Sequence, residues 1–529
     1  MADLHLVVDR AAGGVAAQIA RELREAVRRG RLAAGVRLPA SRELARDLGL
    51  SRGVVVEAYE QLVAEGFLIS RTGVGTTVAP AAGRPAALPG GLPGGLPGGL
   101  SRPSDSAPPP ADPGPTSLTE GREPYHGRRS TAPDLGAFPR ERWLASMRRT
   151  LAALPVAALD YGDPGGVSAL REELAAYLGR VRAADVTPDN LVIVGGVAQG
   201  LSLTVQALAG RLPRARVRHD LDWFVQRVEY PVPSPGRILL AVEDPAGVRQ
   251  LPLLRAAGAD LVAVPVDDEG IDVEALAETG ARAVMLTPAH QYPTGVVLSP
   301  RRRAELIEWA VATDAMILED DYDAEFRFDR DPVGCLQGLA AARVVLIGSV
   351  SKSLAPGLRL GWAVAPPRIA GSLRLARGEL DMGSPVLEQY VLADFVATGD
   401  YDRHLRRMRR QYRARRDALV LALGEHLPEI TVRGVSAGLN LFAELPYGWD
   451  EASVVARAEE CGLAVEPVRP MRHAPGPPAL LMGFARLPVH RADQAVRALA
   501  GALGARGEFR FRLETPGQEH DQGHQEHGG

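Results

Sequence analysis

The spacing of apolar residues changes along the chain, and the changes divide it. Across residues 16–29, Ile19, Leu23 and Val27 recur at i, i+4 and i+8, the repeat of one buried helix face. Ser41 reads as the N-cap of a short helix over 42–48, and Gly49 ends that helix in a tight turn. Ser51 reads as the cap of a second helix, in which Val55, Tyr59 and Leu62 fall on one side and which Gly66 closes. Two short β-like runs around Gly73 and Gly75 then predict a hairpin. Residues 1–79 thus read as a small α+β unit. Over 80–133 the periodicity disappears into Pro and Gly, with LPGG three times between Leu88 and Gly99, which predicts a linker. From 134 to 505 short apolar strands alternate with amphipathic helices, the pattern of a mostly parallel α/β sheet. Residues 506–529, ending EHDQGHQEHGG, are polar and are expected to form a solvated, disordered tail.

A chain of 529 residues with 46% hydrophobic content supports several packed cores. Its net charge of −3 gives no global attraction for nucleic acid, so any DNA contact has to come from a local patch. Two separated cysteines, Cys335 and Cys461, argue against a disulfide framework or a cysteine metal site and fit a reducing cytoplasm. We expect no bound metal. The start MADLHLVVDR lacks the apolar core of a signal peptide. The uncharged stretch 191–210 is long enough to suggest a membrane span. It reads instead as a strand (LVIV), a Gly195–Gly196 turn and a helix bearing Gln199, Ser202, Thr204 and Gln206. A cytoplasmic protein without membrane attachment is expected.

Two short helices, a turn with glycine and a β wing predict a winged helix-turn-helix. In that geometry Arg42 and Arg52 stand near the starts of their helices, where side chains and backbone N–H groups meet DNA phosphates.

The body carries a different chemistry. The chain holds a single lysine, Lys352, among 61 Lys plus Arg. Arginine serves at every other cationic position, so Lys352 marks the place where a deprotonatable amine is needed. It lies in GSVSKSLAPGLRLGW, residues 348–362, after an apolar strand, together with Ser349, Ser351 and Arg359. An amine for a Schiff base, with hydroxyls and a guanidinium for a phosphate dianion, is what a pyridoxal-phosphate site requires. In ILEDDYDAEF, residues 317–326, a strand ends in Asp320, two residues before Tyr322. The carboxylate suits a pyridine nitrogen and the phenol a ring oxygen. Four acids within five residues after a buried strand are costly unless solvated or paired. Val197 and Ala198 open a helix whose N–H groups suit a phosphate. TPAHQYPTG, residues 287–295, is a strand-end turn suited to lie along a cofactor ring, and YGDPGG, residues 161–166, precedes a long helix.

The segments RLPASRELARDLGLSR, AYEQLVAEG and GVGT resemble the DNA-binding domain of GntR-type bacterial regulators over residues 12–78. The body motifs resemble fold-type I aminotransferases across roughly 135–500, and the combination resembles the MocR branch of GntR-type regulators. The implied fold is multidomain: a winged helix-turn-helix joined to an α/β, fold-type I, PLP-dependent aminotransferase-like domain.

The resemblance implies Lys352 as the Schiff-base lysine, Asp320 on the pyridine nitrogen, Tyr322 on the ring hydroxyl, and Ser349 and Arg359 on the phosphate. It implies a homodimer in which Tyr161 reaches the phosphate of the neighbouring subunit and a head is free to cross over its partner's body. His290 and Tyr292 fall in the motif that flanks the ring. Ser41, Arg42, Ser51, Arg52 and the wing Gly75 are the expected DNA-contacting set.

Two departures from the family pattern stand out. VEDPAGVRQ, residues 242–250, has Gly247 where an aromatic usually stacks on the ring, with Arg249 nearby as a candidate site arginine. An insertion over 211–237 brings Trp223 and Phe224, either as a replacement aromatic or as surface packing. Arg469, Arg472 and Arg486 are all candidates for a substrate carboxylate. The leading functional reading is a transcriptional regulator that binds operator DNA and whose pyridoxal phosphate senses an amine, an amino acid or the cofactor level itself. The alternatives are a working aminotransferase with a DNA-binding head and a repressor with a vestigial site.

Overall fold

The computed structural model describes residues 6, 8–10, 14–71, 75–80, 129–212, 236–328, 334–434 and 436–504. The predicted tail and most of the 211–237 insertion, with Trp223 and Phe224, lie outside the described residues.

The head folds as its periodicity dictates. Helix α1 (Val15–Arg28) buries Ile19, Leu23 and Val27 against α3 (Arg52–Ala64), which presents Val55, Tyr59 and Leu62 to the same core. Between them α2 (Ser41–Asp47) packs Leu44 and Ala45. Ser41 is the first residue of α2 rather than its cap, which corrects the expectation. Ala40 precedes the helix in extended conformation, and the Glu43 carboxylate reaches back to accept from the Ala40 amide at 3.1 Å. The helix is therefore capped from within its first turn. Ser51 does occupy the cap position of α3, with extended backbone and no side-chain capping bond. Strands β1 (Leu68–Arg71) and β2 (Gly75–Val78) pair antiparallel as the wing.

In the body, strands β3 (Leu191–Val194), β4 (Ile238–Asp244), β5 (Ala259–Asp267), β6 (Gly270–Ile271), β7 (Ala283–Leu286), β8 (Met316–Asp321), β9 (Val344–Ser349) and β10 (Gly361–Val364) build one sheet. Their spatial order is β3-β10-β9-β8-β7-β4-β5-β6. β5, β4, β7, β8 and β9 run parallel, while β10 is antiparallel to both its neighbours. The central strands are buried on both faces, as in a parallel sheet covered by helices. Helices Val197–Leu208, Gln250–Ala257 and Pro367–Leu380 cover one face. Helices Ser168–Val181 and Val386–Ala397 pack in the core that runs on into a second, smaller sheet. That sheet comprises β11 (Thr431–Arg433), β12 (Asn440–Glu444), β13 (Ala464–Pro467) and β14 (Ala479–Gly483), all antiparallel in the order β11-β12-β14-β13. The long helix Asp400–His426 leads into it.

The head rests on its own chain's body. The Arg28 guanidinium, stacked over Phe67, donates to the carbonyls of Gly338 and Ala183, and Leu339 packs against the head core. Behind that contact Arg24 forms a 2.7 Å ion pair with Glu65, the two side chains being 7% and 2% exposed. Removing one partner of such a pair strands the other charge in a dry site. We therefore expect Arg24→Ala to destabilise the head by about 3–5 kcal/mol, seen as an earlier denaturation step of the full chain. A change under about 1 kcal/mol would show that Glu65 is satisfied by Gln61 alone, which donates to it at 3.0 Å.

Candidate functional site

The carboxyl ends of the parallel strands in an open α/β sheet form a crevice, and here they bring the acidic run together. Each of the four acids has its own solution to burial. Glu319 accepts from the backbone amides of Leu336 and Gln337, both at 3.1 Å, and burial pushes its pKa up to about 7. Asp321 is clasped by Arg182 through two bonds of 2.8 and 2.9 Å. Asp323 meets His290 Nδ1 at 3.0 Å. Asp320 differs. It is 4% exposed, and its Oδ1 has no hydrogen-bond partner. Burial, reinforced by the charges of Asp321 and Asp323, pushes its pKa up to about 7. A buried acceptor without a donor is unfavourable until a donor arrives.

Lys352 follows β9 and points into the same crevice. Its Nζ donates to the Thr131 carbonyl at 2.9 Å and lies 3.3 Å from the Thr131 hydroxyl. Burial lowers its pKa, an effect that Arg129 reinforces and that Asp323, Asp320 and Glu466 oppose. A lysine with a lowered pKa is more readily the neutral nucleophile.

Thr131 belongs to a strap, residues 129–134, which sequence reasoning had placed largely in the linker. The strap is pinned to the body at several points. Ser130 N and Oγ donate to Glu466 at 2.8 and 2.9 Å, Asp134 N donates to Tyr412 Oη at 3.0 Å, and the Asp134 carboxylate pairs with Arg415 at 2.9 Å. Gly483 leaves the room the strap needs, since a Cβ there would sit 2.3 Å from the Ser130 carbonyl oxygen.

Beyond Lys352 the loops form an anion-binding corner. Gly196 takes φ 107° and opens helix Val197–Leu208, so the amides of Val197 and Ala198 stand at its positive end. Arg359, in left-handed conformation at φ 51°, donates to the Gly195 carbonyl. Ser349 ends β9 directly opposite Gly361, and a Cβ on Gly361 would lie 2.9 Å from Gly196 Cα. Ser349, Arg359 and the helix start are thereby neighbours.

On the other side, Tyr322 Oη and His290 Nδ1 are 3.0 Å apart and their rings are stacked. Tyr292 meets Tyr322 edge-on at 5.9 Å. A Cβ on Gly247 would come within 3.3 Å of the Tyr292 ring, so Tyr292 fills the space next to the glycine. Arg249 is exposed at the start of helix Gln250–Ala257, with its charge felt by Tyr292.

Not every expected residue converges. Tyr161 is 68% exposed and follows the exposed apolar residues Leu144, Leu151, Val156 and Leu159 along the chain. Arg472 donates to the carbonyl of Pro477 in its own loop, while Arg469 and Arg486 are exposed. The wall beside Tyr292 is formed by Phe442, Val468, Met471, Ala479 and Leu481, all apolar. In the head, Arg42, Ser51, Arg52 and Gly53 are exposed at the starts of α2 and α3, and Gly75 lies against Arg37 at the wing. Arg129, Thr131 and Glu466 escaped the sequence reading: the first two border a Pro/Gly-rich stretch, and Glu466 lies far away in β13. Chemically, the crevice offers a nucleophilic amine, an unpaired buried acceptor, an anion corner and an aromatic wall.

Two family models match the chain: bacterial regulatory proteins of the gntR family over residues 15–78, and class I and II aminotransferases over 251–499. The chain is 30% identical to the probable rhizopine catabolism regulatory protein MocR of Rhizobium meliloti, over 94% of this chain and 96% of that protein. It is 32% identical to the pyridoxine biosynthesis transcriptional regulator PdxR of Corynebacterium glutamicum, over 80% of this chain and 82% of the relative. Among solved structures, the multiple substrate aminotransferase of Thermococcus profundus superposes with a TM-score of 0.61 at 25% identity, over 70% of this chain and 89% of that one. Among the described residues no helix is long and apolar enough to cross a membrane. The chain belongs to the MocR-type branch of the GntR family of transcriptional regulators, with a helix-turn-helix head and an aminotransferase-like body.

Proposed function

We propose that the body holds pyridoxal phosphate on Lys352, and that an amine, an amino acid or the cofactor itself sets the pose of the DNA-binding heads. The observation that carries this reading is the unpartnered Oδ1 of Asp320 beside the chain's only lysine. A protonated pyridine nitrogen is the donor that oxygen lacks. Ser349, Arg359 and the amides of Val197 and Ala198 would take the phosphate, and Tyr322 the ring hydroxyl. His290 and Tyr292 would flank the ring, with Arg249 at the rim. When bound, the cofactor supplies a carbonyl for amines and an electron sink. The chain's part is to hold a low-pKa amine at Lys352 and to release it from Thr131 when that amine is engaged.

The exposed apolar residues that lead along the chain to Tyr161 support a homodimer in which Tyr161 serves the neighbouring site. A ligand of this kind shifts the heads only through different affinities for their two poses. In the heads, Arg42, Arg52, Ser41, Ser51 and Gly75 would meet the operator through its phosphates and groove.

The experiment is an absorbance titration of the full chain with pyridoxal phosphate and then with amines. A visible band that Lys352→Ala abolishes, and that an amine shifts, is expected. A band unchanged in Lys352→Ala would remove the lysine from its role. Accumulation of a keto acid with the aminated cofactor would favour a working aminotransferase. For the head, Arg52→Ala is expected to weaken operator binding and to reduce the slope of log affinity against log salt by about one, because each phosphate contact releases counterion. An unchanged slope would place Arg52 away from the DNA.

A further inference from the structure

The long helix Asp400–His426 has two unlike sides near its start. Tyr401, Leu405, Met408 and Tyr412 are buried in the main core, whereas Arg403, Arg406, Arg407 and Arg410 are exposed. These arginines stand three and four positions apart, so like charges face one another along the helix, which is unfavourable until an anion relieves it. They also enclose space. With Arg142, from helix Arg140–Ala153, and with His404 they line a cavity of about 310 Å³, and no acid is among its described lining residues. The carboxylate bonded to this set is Asp400, which Arg142 and Arg403 share. Arg407 donates to the Ala137 carbonyl at 2.8 Å and lies 3.3 Å from His404 Nδ1. Arg406 and Arg410 have no hydrogen bond or ion pair among the described residues. His404 is the buried part of the lining, 5% exposed, and its Nε2 lies 2.8 Å from the Ser353 carbonyl. Burial, aided by the charge of Arg407 and opposed by the Ser353 bond, lowers its pKa to about 4. The imidazole is thus neutral at neutral pH, with Nε2–H donating to Ser353 and Nδ1 left to accept from Arg407.

We propose that this cavity is a second ligand site, which takes a small molecule bearing a phosphate or diphosphate group. Guanidinium forks match phosphate oxygens in pairs, and here they come from two helices around one concavity. Five guanidiniums against one bonded carboxylate call for a multiply charged anion. The enclosure by Arg142 opposite the long helix favours a compact ligand over the backbone of a duplex. Arg406 and Arg410 take the anion with all their donors, while Arg403 and Arg407 are already oriented by Asp400 and Ala137. The site does not depend on the reading of the lysine crevice, but it adjoins the lysine loop. His404 and Tyr401 both hold Ser353, the residue after Lys352, the first through its carbonyl and the second by donating to its hydroxyl at 2.8 Å. An anion that draws Arg407 from His404 Nδ1 therefore acts on the loop that carries the lysine.

The test is calorimetric titration of the full chain with inorganic pyrophosphate, in about 0.15 M salt, where charges beyond roughly 8 Å are screened. The parent is Arg359→Gln, which weakens the anion corner of the lysine crevice so that the heat reports the second cavity. The parent is expected to bind one pyrophosphate per chain. Adding Arg406→Gln and Arg410→Gln, both exposed and outside the core, should weaken that binding by about 10–100-fold, the worth of a charged hydrogen-bonded contact. Adding Arg406→Lys and Arg410→Lys instead, which keeps the charge and removes the forks, should give an intermediate affinity. Absence of binding in the parent, or an affinity unchanged by the two glutamines, overturns the site. A random-sequence duplex that binds through Arg406 and Arg410 where pyrophosphate does not would make this face a nucleic-acid track and overturn the small-molecule assignment. Amide exchange on the parent reads the connection to the lysine loop: pyrophosphate should alter exchange at residues 351–354, and an unchanged loop overturns that connection.

Discussion

Burying four carboxylates at the end of one strand is the constraint on which the body depends. In a low-dielectric site each charge needs its own compensation, and β8 obtains it from four directions. Glu319 takes two backbone amides, Asp321 takes Arg182, Asp323 takes His290, and Asp320 faces Lys352 with one oxygen left over. The arrangement fixes more than the acids. Arg182 lies just past helix Ser168–Val181, and its carbonyl receives the amide of Cys335, so the clasp on Asp321 also ties that helix to the 335 loop. His290 is shared between Asp323 and Tyr322, so the ring beside the lysine is aligned by the same set of charges.

The constraint also connects the crevice with the head. The loop whose amides satisfy Glu319 continues into Gly338 and Leu339, and these are the residues on which Arg28 and the head core rest. Glu319 and Asp320 are adjacent in β8. On the opposite side of the crevice, Thr131 caps Lys352 from a strap that adjoins the residues leading to the head. The lysine site is thus bordered by both of the body's attachments to the DNA-binding unit, the docking loop and the tether. Coupling through such packed elements requires two arrangements of unequal affinity for ligand, and these are the elements able to differ.

Much of this was legible in the sequence because it is local. The head's helices follow from Ile19, Leu23 and Val27 and from Val55, Tyr59 and Leu62. The strand–turn–helix around Gly195 and Gly196 and the lysine loop at 348–362 also lie within short windows. Ser41 shows the limit at a boundary: serine is a good cap, but Glu43 capping Ala40 from inside the turn shifts the helix by one residue. The partners of the acidic run were not legible, because Arg182, His290 and the 336–337 amides reach it only through the tertiary fold. Gly247 looked like a loss of the ring-stacking aromatic, whereas Tyr292, 45 positions along, fills the adjoining space. The strap was hidden for a related reason: its six residues have no periodicity, and its anchors, Glu466, Tyr412 and Arg415, are hundreds of residues away.

The most direct test of the link between crevice and head is amide hydrogen exchange on the full chain, with and without pyridoxal phosphate. Loading the lysine site should alter exchange at residues 129–134 and 336–339 and at the C-terminal turn of α1 around Arg28, together with the pocket itself. Changes confined to residues 195–198 and 349–359, with the strap, the docking loop and α1 unaffected, would mean that the site and the head are independent units and that the account is wrong.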